Sequence, residues 1–390
     1  MAGYGELWSA QMLHAHLRAE GLQADWLDAR KVLTVTPAEL GPAIDWARSE
    51  LATQAALDAT AADWLVITGY IASTPEGAPT TLKRNGSDFS GSIFGALLRA
   101  SSITIWTDVD GVLSADPRRV PEAVVLDAMT YNEAWELAYF GAKVLHPRTM
   151  EPAVARAIPI WIRNTFNPAH RGTLIHTREA VGDGGGAVRG FSTFDGIALV
   201  NVEGTGMIGV PGVAQRIFGA LREAGVSVVL ISQASSEHSV CFAVPEASAD
   251  AAREVIARAF EKELSAGSVH AVDVVRGCSV LAAVGEAMAR TPGVAATLFG
   301  ALGKARVNVR AIAQGSSERN ISVVIDRKDS TRALRAVHAG FYLSDRVLSV
   351  GVIGPGLVGA ALLEQLRAQA PVLRAQLRVD LRLRAVATSR

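Results

Sequence analysis

Residues Pro211–Val244 read PGVAQRIFGALREAGVSVVLISQASSEHSVCFAV, and residues Pro292–Ile325 read PGVAATLFGALGKARVNVRAIAQGSSERNISVVI. Set 81 positions apart without a gap, they share 16 of 34 residues, including PGVA, FGAL and a Q-x-SSE core (Gln233 with Ser235–Glu237, Gln314 with Ser316–Glu318). A match of that density is an internal duplication. Each copy carries the same pattern: an apolar strand (Ile197–Val202; Ser279–Val284), a Pro-Gly helix start, a helix with Val213, Ile217 and Leu221 at helical spacing, and an apolar strand (Val226–Ile231). A Ser-rich turn and the strand Val240–Val244 follow, and in copy one a second helix (Ser248–Leu264) and the strand His270–Val275 complete βαββαβ, the ferredoxin-like order. Pro and Gly at the helix start leave backbone N–H groups free, a natural site for a carboxylate. Structural duplication without a ligand is the plainer alternative.

Working outward, the 390 residues allow two to four domains at roughly 100–200 residues each. Hydrophobic residues make up 49% and charged residues 19%, with a mean hydropathy of +0.23, which excludes long-range disorder. Lys+Arg and Asp+Glu are 38 each and the pI is about 7.1, which argues against a basic nucleic-acid binder. Two cysteines, Cys241 and Cys278, cannot build a disulfide framework, so a reducing, cytoplasmic location is expected. No apolar run approaches the roughly 20 residues of a membrane span, and MAGYGELWSAQ lacks signal-peptide architecture.

Residues 1–165 alternate helical and strand patterns: helix Leu7–Ala19, strand Trp64–Thr68, helix Ser90–Ala100, strand Ile103–Trp106 and helix Tyr131–Phe140. That alternation predicts an α/β domain with a mostly parallel sheet, whose ligands lie just after the strands. Three strings sit there. In TTLKRNGSDFSGS (Thr80–Ser92), small hydroxyls and a glycine open a helix, Arg84 adds a forked cation and Asp88 can accept from an ammonium group; Ser and Asp at such a place also serve as caps. WTDVDGVLSADPR (Trp106–Arg118) follows a strand, and Asp108 and Asp110 there could equally cap a turn. FGAKVLHP (Phe140–Pro147) ends a helix. Beyond the repeat, VLSVGVIGPGLVG (Val347–Gly359) places G-x-G-x-x-G at Gly354, Gly356 and Gly359 between a strand and the helix Ala360–Gln369, a dinucleotide signature. The second strand, Leu381–Ala387, ends in ATSR with no acid for a ribose 2′-OH, so Arg390 favours NADP over NAD.

Both copies of the repeat resemble ACT domains, and the three strings before it, in this order and spacing, resemble the amino-acid kinase fold of aspartokinases. With the GPGLVG tail the whole chain is similar, in family order, to the bifunctional aspartokinase–homoserine dehydrogenases. The resemblance implies an α/β chain: a three-layer amino-acid-kinase domain (1–170), tandem ferredoxin-like ACT domains (190–345, copies 190–276 and 277–345) and the start of an NADP-binding Rossmann domain (347–390). It implies that Arg84 and Asp88 grip aspartate with Glu6 of GYGELWS, that Thr107, Asp108, Asp116 and Arg118 line the ATP pocket, and that Lys143 reaches the phosphates. Mg²⁺ would accompany ATP, with no protein metal site. Threonine is the implied effector, met by Gln233 and Gln314, with Asn308 and Ser227 as further contacts; a Gln amide both donates and accepts, which suits a zwitterion. ACT pairing implies a homo-oligomer.

The family's opening KFGGTS-type loop, with its phosphoryl-transfer lysine, does not occur in this sequence. Little kinase activity and no dehydrogenase activity are therefore expected of this chain alone. A regulatory amino-acid-binding protein without catalysis is the rival reading. The tail argues against a monofunctional aspartokinase.

Overall fold

The computed structural model describes residues 3–387 except 39–40, 84, 141–146, 179–185, 234–237, 316–318, 343–345 and 378. It divides into two compact units: Met1–Val112, Val125–Tyr139 and Lys143–Gly184 form the first, and Leu113–Val124, Phe140–Ala142 and Gly185–Arg390 the second. Twelve residues in the middle of the kinase-like sequence thus pack within the regulatory unit.

In the first unit, Ala24–Leu27 pairs in parallel with Trp64–Ile67, and a four-stranded sheet runs in the order Ile103–Thr107, Ile160–Asn164, Thr173–His176, Ala128–Thr130. Two of its three pairings are parallel, while Thr173–His176 runs antiparallel to Ile160–Asn164, so the sheet is mixed. The helix Gly86–Leu97 packs against both pieces. Ile93, Phe94 and Leu97 share a core with Leu27 and Ile67, and a β-carbon on Gly95 would lie 2.5 Å from Ile103 Cδ1, so the glycine permits close approach. This helix begins at Gly86, four residues before the expected Ser90, with Asn85 before it in the left-handed region (φ 59°).

The second unit is built on a six-stranded sheet in the order Leu230–Gln233, Ser239–Pro245, Gly190–Glu203, Ala271–Val284, Asn320–Asp326, Val309–Gln314. Its two central strands, of 14 residues each, are themselves 81 positions apart. They run antiparallel, with Ile197 opposite Cys278 at the centre of a pseudo-twofold axis. Each strand has a glycine at the matching place, Gly196 (φ 77°) and Gly277 (φ 66°), where the register shifts. A β-bulge there requires the left-handed conformation that glycine supplies.

Across the sheet, the strand pairing does not follow the serial order of the two copies. Ile197–Glu203 joins Ser239–Pro245, but Gly190–Asp195 pairs with Ser279–Val284, the first strand of copy two. Copy two therefore takes its fourth strand from in front of copy one, and copy one lies inside it. His270–Val275 and Ser279–Val284, expected as separate strands, are one strand because Gly277 bends rather than ends it. Copy one's expected second helix is broken at buried Phe260 into Ala249–Ala259 and Glu261–Ser265. Each copy has its own core: Ile217, Leu221, Phe242 and Ile256 in copy one, and Phe191, Leu281, Leu298, Val323 and Leu334 in copy two.

The interleaving repeats even at the strand ends. A β-carbon on Gly204 would lie 2.3 Å from the Ser268 carbonyl oxygen, and one on Gly285 2.3 Å from that of Ala187. These pairs are again 81 residues apart. Because backbone cannot yield cheaply, Gly204→Ala and Gly285→Ala should each lower stability by about 1–3 kcal/mol. Urea unfolding with an unchanged midpoint for both would refute the packing.

After the sheet come Arg346–Ile353, the helix Leu357–Leu377 and Val379–Ala387, the two strands pairing in parallel. The helix is longer than Ala360–Gln369 and continues through Pro371.

Candidate functional site

Two candidate carboxylates, Glu6 and Asp88, stand on helices of the first unit. Glu6 stands on the first helix, Tyr4–Ala19, and Asp88 in the first turn of Gly86–Leu97. The point where a β-carbon on Gly69 would sit is 3.4 Å from Glu6 Oε2 and 3.7 Å from Ser87 Cα, so Gly69 lies beside both Glu6 and the helix start. No side chain caps the helix at Asn85; the Gly86 N–H donates to the Lys83 carbonyl (3.1 Å), so a ligand at this helix start would meet the N–H groups of Ser87 and Asp88. Ser90 is occupied internally: its hydroxyl donates to the Gly86 carbonyl (2.8 Å) and accepts the Tyr70 N–H (2.8 Å), fixing the strand–helix corner. Burial pushes the Asp88 carboxyl above its ordinary value. Negative groups beside exposed N–H donors suit a zwitterion, whose ammonium meets the carboxylates and whose carboxylate meets the helix start. Arg84 lies outside the described residues.

At the end of Ile103–Thr107, the Thr107 hydroxyl donates to Asp108 Oδ1 (3.2 Å). Asp110 does not stand alone: Asn164 and Asn167 donate to Oδ1 at 2.7 and 3.1 Å, and these bonds hold its carboxyl below the usual range. Both Asn residues escaped the sequence reading, although Asn164 ends the adjacent parallel strand. In the second unit Asp116 and Arg118 form a bidentate pair (3.0 and 2.8 Å), with the Arg118 N–H also donating to Asp116 (3.0 Å). The Arg118 guanidinium holds the Asp116 carboxyl down. Lys143 lies outside the described residues.

In copy one, Gly209, Pro211, Gly212, Val213, Gln233 and Val240 line a pocket of about 280 Å³. Gly212 (φ 91°) opens the helix Val213–Glu223 with no side-chain cap. Its counterpart Gly293 (φ 87°) does the same for Val294–Lys304. Gln314 ends the strand Val309–Gln314; Gln314, Asn308 and Ser227 are all exposed. The Ser-Ser-Glu parts of both copies lie outside the described residues. A larger cavity, about 1070 Å³, lies between Trp46, Phe89 and Arg148 in the first unit and includes none of the candidates.

Gly354 (φ 78°) donates its N–H to the Ala387 carbonyl (2.9 Å), tying the glycine turn to the second strand. A β-carbon on Gly359 would lie 2.7 Å from the Gly354 carbonyl, whereas Gly356 faces open space. The turn is therefore tight and unobstructed at the helix start, which fits a pyrophosphate. Arg390 lies outside the described residues. Among the described residues no three His, Cys, Asp or Glu side chains gather as a metal site, and no helix is long and apolar enough to cross a membrane.

Residues 1–164 match the amino acid kinase family, and 200–260 and 281–341 match the ACT domain. The chain is 54% identical over 389 residues to bifunctional aspartokinase/homoserine dehydrogenase 1, chloroplastic, of Arabidopsis thaliana, covering 98% of itself and 42% of that relative. It thus spans less than half the relative's length. Against the aspartokinase of Schizosaccharomyces pombe, identity is 31%, over 86% of this chain and 67% of the relative. Among solved structures, the Clostridium acetobutylicum aspartate kinase superposes with a TM-score of 0.77 at 29% identity, covering 87% of this chain and 75% of that one. E. coli aspartokinase III in complex with aspartate and ADP gives 0.69 at 28%, covering 87% and 74%. A kinase-type α/β unit and a duplicated ACT unit, in that order and over this extent, mean that the chain belongs to the aspartokinase family.

Proposed function

We propose that this chain belongs to a bifunctional aspartokinase–homoserine dehydrogenase, binds L-aspartate and Mg-ATP in its kinase part, and senses threonine through its ACT copies. The proximity of both Glu6 and the uncapped helix start carrying Asp88 to Gly69 supports this reading most directly. In the reaction, a β-carboxylate oxygen of aspartate attacks the γ-phosphorus of ATP. The bond to the β,γ-bridging oxygen breaks, giving 4-phospho-L-aspartate and ADP. A carboxylate is already a nucleophile, so positioning and charge neutralisation carry the catalysis. Glu6 and Asp88 would hold the ammonium and Arg84 a carboxylate; Thr107, Asp108, Asp116 and Arg118 would hold the nucleotide, with Lys143 at its phosphates and Mg²⁺ carried by them.

The pocket at Gly212 and Gln233 has room for one small amino acid, which supports an effector role for Gln233, with Gln314 and Asn308 in copy two. Truncating a hydrogen bond to a charged ligand costs about 1.5–3 kcal/mol, so Gln233→Ala should weaken threonine roughly ten- to hundredfold. Calorimetry with threonine, lysine and methionine tests this. Equal threonine affinity in the variant and the parent would end the assignment. Threonine binding without aspartate binding would favour the rival, a regulatory protein without catalysis.

The turn at Gly354, Gly356 and Gly359 would hold the pyrophosphate of NADP and Arg390 its 2′-phosphate; the bound cofactor supplies hydride-transfer chemistry. Ile231 and Ile312, exposed on the two outermost strands and 81 positions apart, support a homo-oligomer formed through the ACT copies. Two free thiols, Cys241 and Cys278, support a reducing, cytoplasmic setting, although the Arabidopsis relative is named as chloroplastic.

A further inference from the structure

The segment Leu113–Val124 is bound to copy two near its start, at Ser114 and Ala115, and in its middle, at Arg119 and Val120. Ala115 and Val120 are buried in the core that holds Phe191 and Leu281. Near one end, Ser114 Oγ lies 2.9 Å from His338 Nε2 and accepts the Val124 N–H (3.0 Å). In the middle of the segment stands Arg119, which no motif singles out. Its guanidinium donates to Thr193 Oγ1 (2.9 Å), Ser330 Oγ (2.9 Å) and Asp195 Oδ2 (2.5 Å). Ser279 and Ser330 donate to the other Asp195 oxygen, at 2.6 and 3.2 Å. Arg335 Nε donates to the Arg119 carbonyl (2.5 Å).

One side chain therefore touches the strand that copy two borrows, just before its bulge at Gly196, and the first residue of copy two's last helix, Ser330–Tyr342. Burial pushes the Asp195 carboxyl up, but the bonds from Ser279, Arg119 and Ser330 outweigh it and hold it low. A planar fork can reach three acceptors on two elements at once; a lysine ammonium is a point charge and cannot. The next residue back is Arg118, locked to Asp116.

We infer that Arg119 is a positioning residue: it fixes the Asp116–Arg118 turn to the regulatory sheet, so that nucleotide affinity follows the state of that sheet. This rests on the proposed role of Asp116 and Arg118 in holding ATP. Effector binding that shifts the borrowed strand against the last helix pulls on Arg119 from two sides, and the turn moves with it. Coupling of this kind typically changes affinity by about 5- to 150-fold.

The test is calorimetry of MgADP binding to the full chain, with and without saturating threonine. It compares the parent with Arg119→Lys, Asp195→Asn and the swap Arg119→Asp with Asp195→Arg. The parent should show at least a fivefold change in MgADP affinity on adding threonine. Arg119→Lys and Asp195→Asn should reduce that change to less than twofold while leaving threonine affinity within twofold, and the swap should restore part of it. Asp195→Asn preserves shape, so it remains informative if Arg119→Lys unfolds. No MgADP binding by the parent would sink the nucleotide reading, and this inference with it. A parent that binds MgADP, with both single variants keeping its affinity and its threonine response, would overturn the role of Arg119 alone.

Discussion

Phe191→Ala is expected to destabilise the protein by about 3–5 kcal/mol, the usual loss for emptying a buried phenylalanine site. Phe191 is 1% exposed, and its ring lies within 5.4 Å of Phe341 and 6.2 Å of His338, centre to centre. The informative part is where the loss falls. Phe191 precedes copy one in the chain but sits in the core of copy two. Hydrogen exchange should therefore quicken first in the helix Ser330–Tyr342 and the strand Asn320–Asp326, and later in the helix Val213–Glu223. Earlier opening of copy one would contradict the interleaved pairing. Phe242→Ala, in the other core, should show the reverse order.

Asp88→Asn is expected to act in opposite directions on binding and on stability. Removing one partner of a charged, hydrogen-bonded pair costs about 2–5 kcal/mol, so aspartate affinity should fall at least 30-fold. The variant should nevertheless melt at a higher temperature than the parent at pH 7. Burial raises the Asp88 carboxyl above its ordinary value of 3.8 in the folded chain. The neutral acid is thus favoured by folding, and its stabilisation is whole below pH 3.8 and lost as pH rises through the raised value. At pH 7 the charged carboxylate opposes folding until an ammonium group arrives, and asparagine removes that opposition. Scanning calorimetry from pH 4 to 8, with and without aspartate, reads both effects. A lower melting temperature for the variant at pH 7, or unchanged aspartate affinity, would exclude this role for Asp88.

Much of the architecture was legible because duplication leaves identities as well as periodicity. The helix of copy one was plain from Val213, Ile217 and Leu221, and Ile217 and Leu221 are buried in its core. The strand exchange was not legible. The sequence reading begins copy one's first strand at Ile197, and only hydrogen bonds across the sheet reveal that Gly190–Asp195 extends it and pairs with copy two. The strands expected separately at His270–Val275 and Ser279–Val284 are continuous because Gly277, like Gly196 in the partner strand, bends the strand instead of ending it. At the candidate sites, the string Thr80–Ser92 marked Asp88 because a charged residue at a helix start is visible in one dimension. Asn164, Asn167, Arg119 and Asp195 carry no such local sign. Arg119 and Asp195 are 76 positions apart, and their partnership exists only once Leu113–Val124 has packed in the second unit.

The borrowed strand also determines how this sensor can be transplanted. A module whose elements follow one another in sequence can be excised at its two ends and attached elsewhere. Here a cut at 276/277 splits the continuous strand Ala271–Val284 and separates copy two from Gly190–Asp195. Each half would carry an unpaired edge and an uncovered apolar core. A functional graft would have to run unbroken from before Gly190 to the end of the helix at Tyr342, and would also need the twelve-residue Leu113–Val124 segment supplied separately. Recombination within this region should therefore yield few soluble chimeras, with tolerated junctions lying outside it.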